Sequence, residues 1–136
     1  NIFPIISKVA AGELNELKIY GNNWETPDGT CIRDYIHVQD LAIAHVQSLN
    51  YLQNNNIKDV FNVGTGKGLS VLDIISAFEL SNNLKVNYSF GPRRLGDVEK
   101  IYSSVSKIEN ILGWKSKKTI EEALVSSWNW QLSLNN

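Results

Sequence analysis

The sequence predicts an α/β fold, and three observations carry that prediction. Runs with apolar residues at every second position alternate along the chain with runs at helical spacing. Two of the helical runs open on capping boxes, Ser70 with Asp73 and Thr119 with Glu122. At 136 residues, 43% apolar and 20% charged, the chain is about one domain long and has enough apolar surface to bury a core.

Taken in order, Ile5, Ile6, Val9 and Ala10 predict a helix from Ile2 that closes on Gly12. Leu17–Tyr20 reads as a short strand stopped by Gly21-Asn22-Asn23. Pro27-Asp28-Gly29 is a turn, with proline presetting φ and glycine supplying a positive one. Cys31–Val38 alternates as a second extended segment. From Asp40, residues Leu41, Ala42, Ala44, Val46, Leu49 and Leu52 form one helical face, ended by the run Asn54-Asn55-Asn56. Asp59–Val63 is a buried-strand candidate leading into the glycine loop 64–68. A helix carrying Val71, Ile74, Ile75, Ala77, Phe78 and Leu80 follows, then a strand over Lys85–Phe90. Ser106 and Glu109 are expected to cap a short helix ending at Gly113. The last helix carries Ile120, Ala123, Leu124, Ser127, Trp128 and Gln131, with Trp114, Trp128 and Trp130 expected to pack it onto the core.

Composition excludes several function classes. The net charge of −1 argues against nucleic acid or an anionic membrane as a partner held by bulk electrostatics. A single cysteine, Cys31, cannot form an internal disulfide and gives no sign of an oxidising compartment. No apolar run approaches the ~20 residues that span a bilayer. Methionine is absent, and the first helix pattern starts at the second residue. The expectation is a processed product or a piece of a longer protein.

The cations are ten lysines and only three arginines, Arg33, Arg93 and Arg94. Arginine's planar fork suits bidentate recognition of phosphate or carboxylate. If the segment around Arg33 meets Pro92-Arg93-Arg94-Leu95-Gly96-Asp97, two guanidinium groups can clamp a diphosphate while Asp97 accepts from a ribose. Structural ion pairs with Asp34 and Asp97 are the competing explanation. The other motifs read as structural. Gly64 and Gly66 match two positions of the dinucleotide fingerprint, but Leu69 stands at the third, which leaves a tight turn. His37 and His45 lack partners at metal-ligand spacing.

Asn1-Ile2-Phe3-Pro4, Tyr20-Gly21, Asp28-Gly29-Thr30 through His37-Val38, and Asp40-Leu41-Ala42 stand in one order along the chain. Phe61-Asn62-Val63-Gly64, Gly68, Ser70–Asp73, Pro92–Asp97 and Trp128–Gln131 continue it. Together they resemble the C-terminal part of the UDP-glucose 4-epimerases, a family of extended short-chain dehydrogenases/reductases, over essentially the whole chain. The resemblance implies that residues 1–136 form a C-terminal UDP-sugar-binding domain, with an NAD-binding Rossmann domain outside this chain. Phe61-Asn62-Val63 would then join the edge of the Rossmann sheet.

For the site, the resemblance implies Asn1 near the substrate phosphates, Lys18, Ile19 and Tyr20 along the uracil, and Val71 in the uridine wall. It places Arg33 and Arg94 on the diphosphate and Asp97 on the ribose. Ile101 stands where the family often has a tyrosine or a small residue beside the sugar, with Tyr102 adjacent, which leaves acceptance of N-acetylated sugars open. The implied activity interconverts UDP-glucose and UDP-galactose in galactose metabolism. NAD takes hydride from C4 of the hexose while a tyrosine acts as base, the 4-keto sugar turns over, and hydride returns to its other face. The glycine-rich fingerprint and the Tyr-x-x-x-Lys pair are not in this sequence. The chain alone is therefore expected to be inactive, without catalytic or metal-binding residues of its own. A cytoplasmic homodimer is the expected setting for the full-length enzyme. Alternatives are a related reductase acting on UDP-pentoses or UDP-uronates, or a non-catalytic nucleotide-sugar-binding module.

Overall fold

A computed structural model of the chain describes residues 1–55 and 58–134. The chain runs α1 (Ile2–Ala10), β1 (Leu17–Tyr20), β2 (Ile32–Arg33), α2 (Val38–Asn55), β3 (Leu69–Ser70), α3 (Val71–Asn82), β4 (Tyr88–Gly91), β5 (Lys100–Ile101), α4 (Ser106–Leu112) and α5 (Ile120–Ser133). The α/β reading stands. β1 and β4 pair in parallel, with Leu17 opposite Tyr88. β2 lies between β3, antiparallel to it, and β5, parallel to it.

The helix ends follow local chemistry. The glycine expected to close α1 lies one residue beyond the Ala11 cap, at φ 76°. There the Gly12 N–H donates to the Val9 carbonyl and the Glu13 N–H to the Lys8 carbonyl, the paired bonds of a Schellman motif. Both expected capping boxes form, with Ser70 and Asp73 on α3 and Thr119 and Glu122 on α5. α4 departs from expectation. Its N-cap is Val105 without a side-chain bond, and Ser106 is the first helical residue. Val105 packs against the Ile108 cluster, and that packing already sets its backbone in the helical region.

Strands were over-read where no partner lies alongside. Only Ile32–Arg33 of the Cys31–Val38 segment pairs, and Val38 already opens α2, two residues ahead of Asp40. Residues 59–63 form no strand among the described residues, and Val60 is 79% exposed. β4 starts at Tyr88 rather than Lys85, because the Val86 N–H is taken by Glu79 Oε1 at 2.9 Å. Asn56, the end of the asparagine run, lies outside the described residues.

The main core joins α1, β1, α3 and α5 through Ile6, Val9, Leu17, Ile19, Ile74, Ile75, Phe78, Val86 and Leu124. A smaller cluster of Ala44, Ile108 and Trp114 sits between α2 and α4. The expected apolar face of α2 is mostly open: Ala44 is buried, but Val46, Leu49 and Leu52 are exposed, as is Leu80 on α3. Trp128 reaches the main core edge-on to Phe78, with ring centroids 6.2 Å apart. Trp130 is exposed instead, since helix positions two apart do not share a face.

Candidate substrate site

Three aspartates at six-residue intervals set the frame of the site. Asp28 accepts from the Thr30 N–H and hydroxyl, both at 2.8 Å, and from the Ser70 hydroxyl. Thr30 Oγ1 in turn accepts from the Val71 and Leu72 N–H groups, which fixes the start of α3. Asp34 accepts from the Thr65 N–H and hydroxyl, the Gly66 N–H and the Ser103 N–H. Asp40 Oδ2 accepts from the Lys117 and Lys118 N–H groups at 2.9 and 2.8 Å. Burial would raise the Asp28 and Asp34 carboxyls, but these hydrogen bonds outweigh it and hold both below the ordinary aspartate range. Asp34 thus ties two remote loops to the residue beside Arg33, Asp28 ties in the start of α3, and Asp40, in the first turn of α2, holds the loop before α5.

Arg33 itself stands in the wall of a cavity of about 320 Å³. Of the nine residues picked out in the sequence, eight line it: Asn1, Lys18, Ile19, Tyr20, Arg33, Val71, Arg94 and Asp97. Asn1 also caps α1, its side-chain oxygen accepting from the Phe3 N–H at 3.3 Å. Arg33 and Asp97 pair across the cavity at 3.6 Å, and the Arg94 guanidinium lies 4.0 Å from the centre of the Tyr20 ring. The two arginine segments thus converge, although 61 positions separate Arg33 from Arg94. Arg93 turns away, to Asn23 and Trp24.

Ile101 lies elsewhere, in an adjoining cavity with Asp34, Asn62, Tyr102, Ser103 and Ser104. Arg33 is common to both walls. Asp34 already accepts from two loops, while Arg33, the other charged group of that second wall, donates to the Ile32 carbonyl at 2.8 Å and pairs with Asp97.

Sequence reasoning missed Ile2, Ile5, Leu17, Cys31 and Tyr35 in the first cavity. The signal for two of them was present. In an extended segment residues two apart share a face, so Cys31 and Tyr35 accompany Arg33. Burial pushes the Cys31 thiol up, against the pull of Arg33. Burial likewise pushes the Tyr35 phenol to about 12, so both groups stay neutral near pH 7. The cavity joins an apolar strand wall to two guanidinium groups and one carboxylate, a layout suited to a flat ring carrying an anionic tail.

The glycine loop does not offer a dinucleotide cradle. The Thr65 and Gly66 N–H groups, which a bound pyrophosphate would need, donate to Asp34. Among the described residues no cluster of acids, histidines and cysteine is arranged to hold a metal. Likewise no described helix is long and apolar enough to cross a membrane.

The fold is that of an extended short-chain dehydrogenase/reductase. Residues 1–126 match the family model described as GDP-mannose 4,6 dehydratase, and the chain belongs to that family. Within it, the chain is similar to UDP-glucose 4-epimerases. It is 46% identical to the one from Bifidobacterium longum over 131 residues, 96% of this chain but 38% of that protein. The structure of the Stenotrophomonas maltophila UDP-glucose 4-epimerase, holding NAD and a formylated UDP-arabinopyranose, superposes with a TM-score of 0.96 at 41% identity. That match covers 99% of this chain and 40% of the other. The Bifidobacterium longum enzyme in complex with NAD+ and UDP gives a TM-score of 0.91 at 44% identity, over all of this chain and 40% of the other. The chain thus spans about two-fifths of the length of these proteins.

Proposed function

We propose that residues 1–136 are the UDP-sugar-gripping domain of an NAD-dependent UDP-glucose/UDP-galactose 4-epimerase. The observation that carries this reading is the convergence of Arg33, Arg94 and Asp97 with the Lys18-Ile19-Tyr20 strand on one cavity. In this reading the uracil lies along β1 and against Val71, Asp97 accepts from the ribose, and the two arginines hold the diphosphate. The hexose then passes Arg33 into the second cavity, where Ile101, Asn62, Ser103 and Ser104 offer neutral contacts.

This division of charge suits an epimerase. The 4-keto sugar must turn over between two hydride transfers, so the hexose has to remain loosely held while the nucleotide stays fixed. Charge-assisted bonds to the diphosphate provide the second without restricting the first. NAD supplies the hydride chemistry and belongs, in this reading, to the part of the relatives' length that this chain does not span. The open face of α2 and the unpaired residues 60–63 are where that part would dock, with Phe61-Asn62-Val63 at its sheet edge. A homodimer, and a cytoplasmic setting, follow the same reading.

The bound pentose derivative in the Stenotrophomonas maltophila structure favours a UDP-pentose as a second substrate. The test is turnover of UDP-galactose by the complete natural chain with NAD. Arg33→Ala is expected to weaken UDP about tenfold to a hundredfold, the loss of charge-assisted bonds. UDP affinity unchanged by Arg33→Ala contradicts the assignment.

A further inference from the structure

Arg93 stands next to Arg94 and is excluded from the cavity, yet it is the better anchored of the two. Its guanidinium carbon lies 4.1 Å from the centre of the Trp24 ring. Its Nε–H donates to Asn23 Oδ1 at 2.8 Å, and a second N–H donates to the Asn23 carbonyl. Trp24 is held in turn: its indole N–H donates to the Tyr20 carbonyl at 3.2 Å and its backbone N–H to the Gly29 carbonyl at 3.0 Å.

Gly21 makes the room for this arrangement. Its φ is +89°, and a Cβ there would run into the Trp24 ring and come within 2.9 Å of the Arg93 stem. Its N–H also donates to the Gly91 carbonyl at 2.9 Å, so the chain leaves β1 and β4 side by side. Arg93 and Arg94 then project to different partners, one to Trp24 and the other to Tyr20.

Among the described residues, side chains of loop 92–97 reach the rest of the molecule at Arg93, at Arg94 on Tyr20, and at Asp97 on Arg33. The last two contacts lie within the cavity, so a ligand that engages Arg94 and Asp97 must compete with them. The Arg93 contact lies outside and can persist whether the cavity is empty or filled.

We propose that Trp24 and Asn23 are positioning residues for Arg94. They fasten Arg93 outside the cavity, which keeps the loop docked and places the Arg94 guanidinium at the cavity wall for a diphosphate. The proposal rests on the nucleotide reading of the cavity given above. Without the anchor, the flanking strands still hold the ends of the loop, but the side-chain contacts that remain, Arg94 on Tyr20 and Asp97 on Arg33, are those a ligand itself reorganises. The ordering of Arg94 then has to occur on binding, and affinity falls.

The test is calorimetric titration of the complete natural chain with UDP, alongside UDP-galactose turnover. Trp24→Leu is expected to weaken UDP about tenfold while kcat at saturating substrate stays within about twofold. Trp24→Phe keeps a ring beneath Arg93 and is expected to restore most of the affinity. Arg93→Ala leaves Trp24 in place and is expected to match Trp24→Leu, which guards against a folding defect in the latter. In an Arg94→Ala background, Trp24→Leu is expected to cost nothing further, because the anchor acts through Arg94. Trp24→Leu and Arg93→Ala that bind UDP like the parent overturn the proposal alone, provided Arg94→Ala weakens binding. An unchanged penalty in the Arg94→Ala background also overturns it. An Arg94→Ala chain with parental UDP affinity overturns the cavity reading, and the anchor with it.

Discussion

The two sides of the molecule are built to different standards. On one, α1, α3 and α5 close over β1 and bury Ile6, Ile74, Phe78 and Leu124 completely, with the arginine-lined cavity at their edge. On the other, α2 shares only the small Ala44, Ile108 and Trp114 cluster, while Val46, Leu49, Leu52 and Val60 face outward. Apolar residues in a row on one helix face are expected to be covered. The contrast teaches that the closed side holds the larger core and the arginine-lined cavity, whereas the open side leaves apolar residues exposed. In the proposed reading the first grips the nucleotide and the second meets a partner surface.

The largest expected effect lies in the closed side. Phe78→Ala removes a fully buried ring that meets Trp128 and should cost about 4 kcal/mol, read by urea denaturation. A small cost there would erase the distinction between the two sides.

Much of this division was legible in the sequence. Helix positions and both capping boxes follow from local chemistry, which a sequence states directly, whereas the meeting of two arginine segments 61 positions apart stood in the sequence only as a condition. The strand lengths did not follow, because pairing depends on what lies alongside. Lys85 and Val86 alternate like a strand, yet Glu79 takes the Val86 N–H. Residues 59–63 read as a strand by composition but pair with none among the described residues, although Phe61 and Val63 pack against the Ala44, Ile108 and Trp114 cluster. The role of the aspartates was also hidden. Asp34 was read as an ion-pair candidate for Arg33, whereas its bonds run to Thr65, Gly66 and Ser103, contacts that no spacing rule connects.

Asp34 ties Thr65, Gly66 and Ser103 together and gives the next effect in size. Asp34→Ala leaves the Thr65, Gly66 and Ser103 N–H groups without their acceptor and should cost about 2–3 kcal/mol. Its pH dependence has a definite sign. Asp28 and Asp34 have carboxyls held below their unfolded value, so their contribution is complete above about pH 5 and is lost as pH falls below about 4. The urea midpoint of the parent should therefore drop on acidification. Asp34→Ala should flatten that drop, and an equal slope in both chains would contradict the assignment.

The smallest expected effect belongs to the open side. Leu49→Ser changes an exposed position and should shift the stability of the 136-residue chain by less than about 0.5 kcal/mol. In the complete natural chain the same change should cost about 2 kcal/mol if α2 is covered there. Equal small effects in both chains would leave α2 without its proposed partner.

Hydrogen exchange of the complete natural chain with and without UDP tests the central claim most directly. The account predicts slowed exchange at residues 17–20, 31–35 and 91–97, with α2 unchanged. Protection that falls on α2 and residues 58–63, or on no part of the chain, would contradict it.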